Sequence, residues 1–153
     1  MEERLSVGRH LAQLTKLYAG VISKKLEHLD IERYFHVLLT IDKSENKITQ
    51  QEVANQLELD KVTMVKMVDY LAQKGYLNRE QNPNDRREYH LCLTEKAQQV
   101  IPEIKEAFQD IHKAATNGLT KNQIDEFYKV VERIDKNLRK LPNNKVNIRI
   151  KKS

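Results

Sequence analysis

Ile48-Thr49-Gln50-Gln51-Glu52-Val53-Ala54-Asn55-Gln56-Leu57-Glu58-Leu59-Asp60-Lys61-Val62-Thr63-Met64-Val65-Lys66-Met67-Val68-Asp69-Tyr70-Leu71 holds two helix starts in close succession. Thr49 can accept a hydrogen bond from the Glu52 amide, the Glu52 side chain can reach back, and Ile48 can staple onto Val53, so a helix begins at Thr49. It ends near Leu57. Leu59-Asp60 supplies a turn and a second cap, and Lys61 to Lys74 reads as another helix closed by Gly75. Two short helices that cross over a three-residue turn need a small residue at the crossing and apolar anchors at set offsets. Ala54 permits the close approach, and Val53, Leu57, Leu59, Met64 and Met67 occupy the anchor positions. Met64, Met67, Val68 and Leu71 form the buried stripe of the second helix, so Lys61, Val62, Val65, Lys66 and Asp69 face outward, with Thr63 near the helix start.

Downstream, Tyr76 to Gln81 and Arg87 to Leu93 read as a hairpin around Asn82-Pro83-Asn84-Asp85, with Tyr89, Leu91 and Leu93 alternating along the second strand. Thr94 then caps a long helix whose stripe is Ala97, Ile101, Ile104, Phe108, Ile111 and Ala115, with Pro102 expected to bend it. Asn117-Gly118 stops that helix. Leu119 to Ile124 repeats the capping grammar for a last one, carrying Ile124, Phe127, Val131, Ile134, Leu138 and Leu141 ahead of Pro142. Upstream, Val7, Leu11, Leu14, Tyr18 and Val21 step by fours and threes along a first helix, widened by Leu17 and Ile22. Asp30 is expected to cap a shorter helix with Ile31, Phe35, Leu38, Leu39 and Ile41 on its apolar face. Val146, Ile148 and Ile150 alternate like a short strand that has no evident partner.

Composition agrees with a mainly helical class. Four glycines and three prolines in 153 residues are too few for a sandwich or barrel. No apolar run is long enough for a membrane span and the N-terminus lacks a signal-peptide core, so a cytoplasmic protein is expected. The lone Cys92 supplies no intrachain disulfide and no thiolate cluster, and the five histidines show no metal-ligand spacing, so neither metal nor other cofactor is expected. The formal charge of +5 lies in the tail: from Lys136 onward there are seven basic and no acidic residues, leaving −2 for the rest. The overall charge is therefore no argument for a nucleic-acid partner.

Helix, turn, helix and charged hairpin in immediate succession is the order of a winged helix-turn-helix. The run Leu57 to Lys66 with Leu71, then Lys74-Gly75-Tyr76-Leu77, then Asp85-Arg86-Arg87 with Leu91, Leu93 and Thr94, resembles the MarR family of bacterial transcriptional regulators. The resemblance extends to the flanking helices and leaves out the tail beyond Pro142. One departure is Glu58, which stands where many helix-turn-helix sequences place Gly to reach a left-handed conformation, at a cost on the order of 1 kcal/mol.

These observations and the resemblance together define expectations. The chain is one domain over 1–153, mainly α with a small β-hairpin wing. A winged helix-turn-helix spans 31–94 (core 49–94), dimerisation helices span 5–29 and 95–141, and a basic tail spans 142–153. Lys61 and Lys66 suit phosphate or guanine, and Val62, Thr63 and Val65 suit thymine methyls. The resemblance implies that Arg87 enters the minor groove with Asp85 holding its guanidinium, while Arg79 and Arg86 engage backbone phosphates. It also implies a homodimer that places two recognition helices on double-stranded DNA in the nucleoid, most commonly as a repressor. The implied effector is a small phenolic or lipophilic molecule held between the dimer helices and the winged module, with His10, Tyr18, Tyr34 and His36 as candidates by position. No Gly-rich phosphate loop or nucleophile grouping supports an enzyme. The stronger alternative is a winged helix used for protein contacts alone, because 47–93 balances seven basic against seven acidic residues.

Overall fold

The computed structural model describes residues 6–144 and residue 146. Six helices and one hairpin follow in chain order: α1 (Val7–Lys25), α2 (Phe35–Lys43), α3 (Gln50–Gln56), α4 (Lys61–Gln73), β1 (Leu77–Asn82), β2 (Asp85–Leu93), α5 (Glu95–Ala115) and α6 (Lys121–Leu138). The order is that of a winged helix with long helices before and after it. Of the strand pattern at Val146, Ile148 and Ile150, the last two residues lie outside the described residues, as does most of the basic tail.

Most of the helices start as their sequences dictate. The Thr49 hydroxyl accepts from the Glu52 amide while the Glu52 carboxylate accepts from the Thr49 amide at 2.8 Å, so both halves of the capping box form. Asp60, Thr94 and Thr120 cap α4, α5 and α6 through the amides three residues on. Gly75 closes α4 at φ +80°, and Gly118 occupies the same conformation between α5 and α6. Glu58 adopts φ +54°, so the turn keeps its left-handed geometry without glycine. Asp30 is a correction: α2 starts at Phe35 after an uncapped Tyr34, because Glu32 sits at φ +52° and breaks any helix running from Asp30. The Asp30 carboxylate instead accepts from the Tyr76 hydroxyl and lies 3.5 Å from Lys96 Nζ.

The hairpin is antiparallel, with Leu77 opposite Leu93, Arg79 opposite Leu91 and Gln81 opposite Tyr89. Its strands begin one residue later and two residues earlier than the sequence suggests, and Tyr76 is buried just before β1. The outer edge of β2 is not left bare: the Leu91 amide donates to Ile48 O at 2.8 Å, and Thr49 pairs with His90. That short third segment, absent from the sequence reading, sets the start of α3 directly against the wing.

The core lies under the winged module. Ile31, Phe35, Leu38, Ile41, Val53, Met64, Val68, Leu71, Tyr76 and Leu91 are buried there together with Ala97, Ile101 and Ile104 of α5. Leu39 and Met67, both expected inside, pack at its margin half-buried. The flanking helices differ: Ile22 is the sole buried residue of α1, and α6 buries none. Leu17 is 66% exposed, and Phe127 and Tyr128 stand about half open.

Candidate nucleic-acid interface

Helix α4 is sunk into the core by Met64, Val68 and Leu71. At 3.6 residues per turn the opposite side carries Val62, Val65, Lys66 and Asp69. Val62 is 65% exposed, Lys61, Lys66 and Asp69 are exposed, and Val65 is half-buried. An exposed valine beside two lysines at a helix start offers apolar contact next to positive charge and free amides. Thr63 is less open than expected, because its amide and hydroxyl both donate to the Asp60 carboxylate at 2.8 Å. Its hydroxyl is part of the cap.

The wing joins this surface at one seam. Arg79 of β1 donates to Asp69 Oδ1 of α4 at 2.9 Å and to Gln50 Oε1 of α3 at 3.3 Å. Side chains alternate along a strand, so Leu93, Leu91 and Tyr89 of β2 share the face of Leu77, Arg79 and Gln81, and the register shifts beyond Gln81. Leu93 and Leu91 are buried, while Tyr89 is about half exposed. Past the register shift, Arg86 and Arg87 are both exposed.

At the tip, Asp85 differs from its expected role. Its Oδ1 accepts from the backbone amide of Arg87 at 3.0 Å, an Asx-type turn that fixes the main chain and leaves the guanidinium alone. The turn is tightened further by Asn82 Oδ1, which accepts from the Asn84 amide, and by Gln81, which donates to Arg86 O. Among the described residues, no partner is found for the Arg87 side chain.

A cavity of about 680 Å³ opens between α1, α2, α5 and α6. Its walls are mostly apolar, from Leu11, Leu14, Ile22, Phe35, Phe108 and Phe127, with Arg33, His36 and His112 as polar groups. Of the four effector candidates named from sequence, Tyr18 and His36 line this cavity and His10 and Tyr34 do not. His10 Nδ1 lies 3.1 Å from Ser6 O on the outside of α1, and Tyr34 stacks edge-on against Tyr70 of α4. His36 rests against the Phe108 ring, and burial lowers its pKa, favouring the neutral imidazole. Sequence reasoning did not reach Arg33 and His112, because one comes from the turn before α2 and the other from the last turns of α5, and neither has a local signature. Cys92 is buried, with its thiol pushed up to about 11 by desolvation, in keeping with a packing residue. No metal-binding group of His, Cys, Asp or Glu occurs among the described residues, and none of their helices is long and apolar enough to cross a membrane.

Comparison with known proteins gives this arrangement its relatives. Residues 32–89 match the MarR family model. A MarR transcriptional regulator from Methanosarcina mazei Go1 is 26% identical, with 88% of this chain and 96% of that one covered at a TM-score of 0.76. A structure of MarR is 25% identical, with 92% and 95% covered at a TM-score of 0.74. A MarR-like protein from Listeria monocytogenes, solved in complex with a 26mer DNA, shares the fold at 20% identity and a TM-score of 0.78, with 88% and 90% covered. Residues 32–89 of this chain thus match the MarR family model, and the helices around them share the fold of the MarR transcriptional regulators to which the chain is similar.

Proposed function

We propose that this chain is a sequence-specific DNA-binding regulator that acts as a homodimer on a palindromic operator, most simply as a repressor. Helix α4 enters the major groove with Lys61, Val62, Thr63, Val65 and Lys66. The wing follows the backbone into the minor groove, Arg87 leading and Arg86 on phosphate. The observation that supports this reading is the seam at Asp69 and Arg79, which ties the outward face of α4 to the first strand of the wing at 2.9 Å while Met64, Val68 and Leu71 hold the back of α4 in the core. The DNA-bound Listeria relative shares the fold that supports it.

We divide the chain accordingly, with 31–94 as the DNA-binding module, 5–29 and 95–141 as dimerisation helices, and 142–153 as a basic tail. A second copy is the natural partner for α1 and α6. Their apolar residues recur at threes and fours, stand open in the single chain, and would cost solvation free energy if left so. The cavity borders the same helices, and its apolar walls with three cationic or imidazole groups suit a small phenolic or lipophilic effector that releases DNA. Such a protein works in the cytoplasm, at the nucleoid.

The test is selection from a random duplex library by the purified protein at stated ionic strength, since the phosphate contribution depends steeply on salt. Enrichment of a two-fold symmetric site is expected. Failure to enrich any sequence, with retention of protein partners, would move the module to the protein-contact alternative.

A further inference from the structure

We propose that Arg79 is a positioning residue for DNA reading: it clamps the wing to both helices of the helix-turn-helix and itself touches no phosphate. The inference rests on the DNA-binding reading and deepens it by assigning what sets the angle between wing and recognition helix.

One guanidinium nitrogen of Arg79 serves two other elements, Asp69 on α4 at 2.9 Å and Gln50, the first residue of α3, at 3.3 Å. Gln50 follows directly on the Thr49–Glu52 capping box, and Thr49 pairs with His90 of β2, so the start of α3 is itself held on the wing. Arg79 closes that loop of contacts on the opposite strand. Asp69 lies two helical turns beyond Val62 on the same face of α4, so its carboxylate borders the surface offered to the duplex. Left bare there, it would repel the DNA polyanion. A guanidinium engaged with that carboxylate cancels the repulsion, and moving to a phosphate would uncover it again. Charge therefore favours keeping the clamp closed on DNA. Both side chains are partly exposed, about two-fifths for Arg79 and three-fifths for Asp69, so the clamp adds little to folding and its effect falls on geometry.

The test uses the full-length protein, a selected operator and a scrambled duplex of equal length. Affinity for each is measured across a salt series for wild type, Arg79→Ala, Asp69→Asn and the double variant, with melting temperature as a control on folding. A positioning role predicts that each single variant lowers the operator-over-scrambled ratio about threefold to fivefold. The double variant loses no more than the larger single one, since both break one interaction. The slope of log K against log salt stays at the wild-type value and the melting temperatures stay together. The proposal is overturned if Arg79→Ala reduces that slope by about 0.9, the mark of one lost phosphate contact, while Asp69→Asn leaves the ratio unchanged or raises it. It is also overturned if neither variant changes the ratio. A wild type with no preference for any duplex would instead remove the DNA reading, and this inference with it.

Discussion

Arg87 is held by its main chain and free at its tip. The Asp85 carboxylate secures the backbone amide, and no described neighbour takes the guanidinium, so the side chain is presented without a competing ion pair. Arg87→Ala should then weaken operator binding by about 1 to 3 kcal/mol with an unchanged melting temperature, as read by a fluorescence titration. A second residue-scale expectation concerns acid. The Tyr76 hydroxyl and, more weakly, Lys96 hold the Asp30 carboxyl below its ordinary value, and the Thr49 amide and hydroxyl do the same for Glu52. Because the folded values lie below the unfolded ones, this stabilisation is complete above the ordinary carboxylate range and is lost as pH falls through the lowered values. Tyr76→Phe removes the main donor to Asp30. Melting curves between about pH 5 and pH 2 should therefore show a shallower loss of stability in the variant than in wild type. At neutral pH the variant should be destabilised by about 1 kcal/mol or less, since Asp30 is half-exposed.

Elements built on local grammar were legible in the sequence. The capping box of α3, the Asp60 cap of α4 and the stop at Gly75 depend on residues within four positions of one another, which is the range a linear reading covers. Thr49→Ala should accordingly cost about 1 kcal/mol in chemical denaturation, by leaving the Glu52 amide unpaired. Where the reading failed, the deciding partner lay far along the chain. Asp30 looks like a helix cap, yet it is claimed by Tyr76 and Lys96, and the left-handed Glu32 intervenes. The contact of Arg79 with Asp69 of α4 is likewise outside the range of a linear reading. Periodicity finds candidate residues on each helix but not the cavity that several elements share, so Tyr18 and His36 line it, His10 and Tyr34 lie elsewhere, and Arg33 and His112 join it from parts of the chain far apart in sequence.

For the whole molecule, the uneven burial is the informative feature. The winged module and α5 share a closed core, whereas α6 buries nothing and α1 buries Ile22 alone. Leu17 is 66% exposed and does not line the cavity, so a charge placed there should leave the single chain folded. Leu17→Asp should nevertheless convert a dimer to a monomer at micromolar concentration in light scattering and reduce operator affinity more than tenfold, because one module alone reads half a site. The most direct measurement of the account's central claim is a hydroxyl-radical and methylation footprint of the wild-type protein on its selected operator. Joint reading by α4 and the wing predicts two patches of guanine protection in the major groove, centred about 34 to 36 Å apart, each flanked by minor-groove protection that Arg87→Ala erases. Protection of a single face with no minor-groove component, unaltered in Arg87→Ala, would contradict it.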